Sequence, residues 1–248
     1  MPANLKILNI LIQKGYDQFN KPYEFIKFTN IDESDRLLNN LIDSPHAFTL
    51  ACIMDRQINA ERAWMIPFKI SQIIDNFLFN SLLNYSLIDY INIFNDNKLH
   101  RFNSEMAKNF YNAIQHIQTE YHGNASKIWD NKPNSAALVN RFLKFDGVGI
   151  KIASMAVNIL ARQFKIKLTD YHYIDISPDV HIKRVFYRIG FITKQNNIDE
   201  LLYTARELNP SYPGIFDLSC WEIGRNFCKP TNPNCNNCYL NNYCPKLI

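Results

Sequence analysis

Apolar residues return every three or four positions along most of the chain, the repeat of helices that bury one face. The clearest stripe is Met106, Phe110, Ala113, Ile114 and Ile117, inside a helix predicted over 103–121 and closed by Gly123. A helix is predicted over 3–13, stopping near Gly15. Another opens at Ser44-Pro45, a cap followed by proline at the first helical position, and runs through Met54. Residues 60–74 form a further helix that Pro67 kinks or splits, and 77–93 hold one or two short ones. Helices follow over 136–145, 150–164, 178–189 (opened by Ser177-Pro178-Asp179, closed by Gly190), 198–208 and 214–227. Only 165–176 alternates loosely, which reads as extended or irregular chain. The expected fold class is all-α.

Composition adds limits. With 248 residues, 47% of them hydrophobic, the chain can build one large core or two modest lobes. The 17 Phe, 13 Tyr and 3 Trp are mostly core candidates. A net charge of +4 permits an anionic polymer as partner without requiring one. No run of 18 apolar residues suggests a membrane span, and the first 13 residues lack the apolar block of a signal peptide, so an intracellular protein is expected. In a reducing compartment, clustered cysteines point to metal before disulfides.

Four of the six cysteines fall near the end of the chain, Cys228, Cys235, Cys238 and Cys244, with intervals of 6, 2 and 5 residues. Thiolates so spaced can converge on one metal centre. Zinc is the rival occupant, although zinc ribbons use two close pairs and only one is present here. Cys52 and Cys220 sit in apolar helical stretches and are expected in the core.

Two further places carry candidate chemistry. Gly147-Val148-Gly149 joins two predicted helices and leaves backbone N–H groups at a helix start, where a phosphate can bind; an ordinary helix connection has the same composition. Lys151 lies in the first turn of the second helix, where the helix field disfavours a cation; it is either an exposed lysine turned from the axis or an amine nucleophile. Asp179 opens the next helix, either as a plain cap or as a carboxylate that stabilises positive charge on a sugar as a base–sugar bond breaks.

Taken in order, Gly147-Val148-Gly149-x-Lys151, Pro178-Asp179-Val180-His181 and the four cysteines, preceded by Gly224-Arg225, resemble the helix-hairpin-helix DNA glycosylase superfamily, closest to endonuclease III. The likeness spans roughly 48–244 and is specific as a set. It implies two helical lobes with a DNA cleft between them. One is a continuous helical barrel domain over 30–150 ending in the hairpin. The other joins 1–29 to 165–248 and holds an iron–sulfur loop over 228–244. It implies a [4Fe–4S] cluster on the four cysteines, Lys151 as Schiff-base nucleophile, and Asp179 as catalytic carboxylate. Gln57 would fill the gap left by a flipped nucleotide; Gly147, Val148, Gly149, His181, Arg225 and Lys229 would contact DNA, with Lys246 a further phosphate candidate. The implied activity is a DNA N-glycosylase with AP lyase activity, acting as a monomer on double-stranded DNA that carries a damaged, mismatched or modified base. A monofunctional glycosylase and a non-catalytic DNA-structure binder are the alternatives. The sequence departs from the family where Asp146 replaces the hairpin proline, and in the longer stretch between Lys151 and Asp179, where Tyr171-His172-Tyr173-Ile174-Asp175 either lines a base pocket or packs.

Overall fold

The computed structural model describes residues 3–248. Along it run α1 (Ala3–Asn20), α2 (Asp32–Asn39), α3 (Pro45–Met54), α4 (Ala60–Trp64), α5 (Ile66–Ile73), α6 (Phe79–Leu82), α7 (Leu87–Asp96), α8 (Asn103–Tyr121), α9 (Ser135–Leu143), α10 (Ile150–Arg162), α11 (Val180–Arg188), α12 (Ile198–Leu208) and α13 (Asp217–Asn226), with short 3-10 turns between some of them. Among the described residues there is no strand, so the all-α expectation holds. The chain forms two compact units: one of Glu24–Pro133 and Asn140–Ala156, the other of the residues up to Tyr23, Asn134–Val139 and Val157–Ile248.

In the first unit, all ten residues of α3 are buried. A helix apolar on every side belongs at the centre of a core, and α2, α4, α5 and α8 pack around it. The predicted helix over 60–74 is broken at Met65, and Pro67 stands in the first turn of α5, where its missing N–H costs nothing. The stripe foreseen on α8 is buried throughout, and Phe110 meets Tyr90 and Phe94 of α7. A capping box of Ser86 and Asp89 starts α7. Helix α2 has no counterpart in the sequence reading; its apolar residues are few, but the buried Asp35 carboxylate accepts from the Thr29 N–H at 2.8 Å and pins its entry.

In the second unit, α1 corrects one expectation. The helix does not stop at Gly15 but continues to Asn20. Gly15 serves close packing: a Cβ there would collide with the carbonyl and side chain of Ile215. The predicted helix over 214–227 is a 3-10 turn, Pro213–Phe216, followed by α13. Helix α11 packs along α13 through Gly224, whose absent side chain would stand 2.6 Å from the His181 Cβ. Gly224→Ala is therefore expected to destabilise the protein by about 1–3 kcal/mol, the ordinary cost of forcing an extra carbon into a packed contact; a thermal melt against wild type checks it, and an unchanged midpoint would contradict the packing. Residues 165–177 are irregular, as expected, and most of them pack. Tyr171 joins Phe19 and Tyr212, Asp175 takes a bidentate contact from Arg206 at 2.8 Å, and Asn158 donates to the Asp175 carbonyl at 2.9 Å. Tyr173 is 58% exposed, and Lys167, Thr169 and His172 also face solvent. Cys52 and Cys220 are fully buried, as expected.

Candidate active-site residues and the cysteine loop

The hairpin joins the end of α9 to the start of α10 through a turn in which the Val148 N–H donates to the Phe145 carbonyl at 3.1 Å. Its two glycines are glycine for different reasons. Gly147 has φ +78, and a Cβ there would strike the Asn109 amide. Gly149 has neither a left-handed φ nor any heavy atom within 4 Å of a Cβ position. Nothing inside the chain requires glycine at 149; what the residue leaves open is space for an external group to reach the backbone. Asp146, the departure from the family hairpin, turns its carboxylate to Asn112, whose amide donates at 2.7 Å.

Lys151 is the second residue of α10, as the sequence predicted. Its Nζ lies 3.2 Å from Asp55 Oδ2 and 3.5 Å from the Asp55 carbonyl. The Asp55 side chain is 8% exposed and that of Lys151 33%. Asp55 was not foreseen. The available signal was a carboxylate directly after an apolar helix, at the end where carbonyl dipoles oppose negative charge. Two residues on, Gln57 is exposed and has φ +56. That left-handed conformation is uncommon outside glycine, asparagine and aspartate, and it projects an amide from the bend after α3.

Asp179 belongs to the other unit. It is the N-cap of α11: Oδ1 accepts from the His181 N–H at 2.8 Å, so the capping role is real. The turn before it is held from behind. The Ser177 N–H donates to Asp217 Oδ1 at 2.8 Å, and the buried Arg162 guanidinium lies 3.9 Å from Asp217 Oδ2. Burial pushes the Asp217 carboxyl up, against the opposing pull of Arg162. His181 is half-buried, its ring near Trp221 and its Nδ1 3.0 Å from Arg184 Nη2. Arg225 is exposed, its guanidinium over the Trp221 ring at 5.0 Å, and Lys229 is exposed in the cysteine loop.

Cys228, Cys235, Cys238 and Cys244 are free thiols that line one pocket, walled by Val185, Ile189, Ile223, Phe227 and Leu240. Two arginines of α11, unmarked by the sequence reading, staple the loop. Arg184 Nε donates to the Cys228 carbonyl at 2.6 Å; Arg188 donates to the carbonyls of Lys229 (2.7 Å) and Pro230 (3.0 Å) and stands 3.6 Å from the Cys228 sulfur. Burial pushes the Cys238 and Cys244 thiols up. Among the described residues, no three His, Cys, Asp or Glu side chains form a group that could hold a single metal ion. The shared pocket of four soft donors, its apolar walls and the nearby guanidinium fit an anionic thiolate-ligated cluster in kind.

No family model matches the sequence. Over 107 residues the chain is 32% identical to endonuclease III of Thermotoga maritima, a stretch covering 43% of this chain and 45% of that protein, so the match spans less than half the length of that relative. Among solved structures, a non-covalent endonuclease III–DNA complex aligns over 99% of this chain and 96% of that one, with TM-score 0.64 and 17% identity. The fold is that of endonuclease III. A trapped endonuclease III–DNA covalent intermediate gives TM-score 0.63 at 17% identity, covering 99% and 97% of the two chains, and a thermostable thymine-DNA glycosylase gives 0.61 at 15%, covering 98% and 95%. The recognition made from the hairpin, the aspartate motif and the cysteine spacing is thereby borne out. In this endonuclease III fold no helix among the described residues is long and apolar enough to cross a membrane.

Proposed function

We propose that this chain is a DNA N-glycosylase with AP lyase activity, a base-excision enzyme acting as a monomer on double-stranded DNA that carries a damaged, mismatched or modified base. The observation that carries the reading is Lys151 itself: a half-buried amine set in the first turn of α10, directly behind a hairpin whose Gly149 leaves its backbone open to an outside group. A lysine kept for solubility belongs at the other end of a helix.

In this reading Lys151 Nζ attacks the sugar C1′ and displaces the base, forming the Schiff base from which β-elimination nicks the strand. The Asp179 carboxylate stabilises positive charge developing on the sugar. The base must leave the stack first, since C1′ is shielded in a duplex, and Gln57 takes its place. Backbone N–H groups of Gly147 and Gly149 hold a phosphate, Val148 fixing the turn between them through its bond to the Phe145 carbonyl, with His181, Arg225 and Lys229 as further contacts. Cys228, Cys235, Cys238 and Cys244 would hold a [4Fe–4S] cluster, which when bound cross-links the loop that presents Lys229. Replacing Cys238 by serine is expected to lower bound iron and sulfide at least severalfold and to expose 228–244 to protease, measured by metal analysis and limited digestion; bound zinc in the wild-type protein would overturn the assignment.

The monofunctional alternative draws on the likeness to the thymine-DNA glycosylase structure. A panel of lesion-containing duplexes decides between the two. Base release coupled to strand nicking, with an adduct trapped by borohydride, supports the lyase; base release without nicking selects the alternative.

A further inference from the structure

Asp55 and Lys151 each sit at the end of a helix where their charge is disfavoured. Asp55 follows the last turn of α3 as its C-cap, facing carbonyl dipoles; Lys151 is in the first turn of α10, among N–H dipoles. At 3.2 Å each charge offsets the other's misplacement. The pairing is built in: the carboxylate is 8% exposed, fixed to a helix with no exposed residue, while the neighbouring cation Arg56 is taken by Glu105 at 2.7 Å. Lys151 Nζ also reaches the Asp55 carbonyl at 3.5 Å, so two oxygens of one rigid residue set where the amine stands. A flexible four-carbon side chain at 33% exposure would otherwise sample many positions.

We propose that Asp55 is the positioning residue of the Lys151 amine and the acceptor of its proton, a role that rests on the lyase reading above. Before attack, the Lys151 ammonium passes one proton to the Asp55 carboxylate, leaving a neutral amine and a carboxylic acid. The amine lone pair forms the N–C1′ bond, the C1′–N bond to the base breaks, and its electron pair leaves on the base. The base then takes up the proton shed by the new secondary ammonium.

The test is single-turnover borohydride trapping on an abasic duplex with Asp55→Asn and Asp55→Glu, alongside DNA affinity and thermal melting. Asp55→Asn keeps the shape and a hydrogen-bond acceptor but cannot take a proton. It is expected to trap about 10–100-fold more slowly, the range for losing a proton acceptor, with DNA affinity unchanged within about twofold. Asp55→Glu restores most of the rate. In a Lys151→Ala background, Asp55→Asn should change residual base release by less than about twofold, since both residues act through one amine. Wild-type trapping rates in a folded Asp55→Asn would overturn the assignment, as would parallel losses of rate, affinity and melting temperature. If Asp55→Asn does not fold, Asp55→Glu decides: a folded protein that traps as slowly as expected of Asp55→Asn overturns it. Absence of any adduct with wild type would instead end the lyase reading.

Discussion

Lys151→Ala is expected to abolish the borohydride-trapped adduct with abasic DNA, a loss of at least ~10³-fold, because in the proposed mechanism the Lys151 amine supplies the carbon–nitrogen bond that borohydride reduces. The difficulty lies in separating chemistry from stability. Removing the lysine leaves the Asp55 carboxylate, 8% exposed, without the cation 3.2 Å away. Taking the nearest cation from a buried charge costs up to several kcal/mol, though water can enter where a side chain one-third exposed has been removed, so the expected loss is about 1–3 kcal/mol. Lys151→Gln is the sharper variant. It retains a donor toward Asp55 and lacks the nucleophile, so it should melt closer to wild type and still form no adduct. Both variants should bind an abasic duplex, since the hairpin proposed to hold a phosphate is untouched. An adduct of normal yield with either one would show that the nucleophile lies elsewhere.

Asp179→Asn is expected to slow base release by about 10²–10³-fold while leaving the fold intact. Asp179 is a true helix cap, and substituting alanine would remove a bond worth about 1 kcal/mol together with the charge. Asparagine caps as well as aspartate does, so its carbonyl oxygen can keep the bond to the His181 N–H while the negative charge disappears. The turn should hold as well, because Ser177 is tied to Asp217 independently of residue 179. The measurement is single-turnover excision on the best substrate from the lesion panel, beside a thermal melt expected to move by only a degree or two. If excision is unchanged, Asp179 is a cap and nothing more.

What was legible in the sequence was whatever a local pattern encodes. The apolar stripe of α8, the proline that opens α3, the cap that opens α11 and the break at Met65 just ahead of Pro67 act within one or two turns, and each lies at or beside the place the pattern put it. The order of hairpin, aspartate and cysteine motifs was enough to give the fold. Local pattern failed where a distant partner decided the outcome. Gly15 reads as a helix stop, yet Ile215, two hundred positions away, needs the space that its missing side chain leaves. Helix α2 was missed for another reason: it is too polar to announce itself, and the buried Asp35 carboxylate that sets it bonds locally to Thr29.

The site divides in the same way. Sequence alone named an amine at the start of a helix, a carboxylate at the start of another and four thiols in a loop, because each has a spacing or a cap position that chemistry can read. Only the tertiary structure set Asp55 beside Lys151 and laid Arg184 and Arg188 over the cysteine loop. Those contacts join residues far apart in the chain. The physical reason is that a charge at the unfavourable end of a helix reveals that something must offset it, while the identity of the partner is fixed only when the core brings the two helices together.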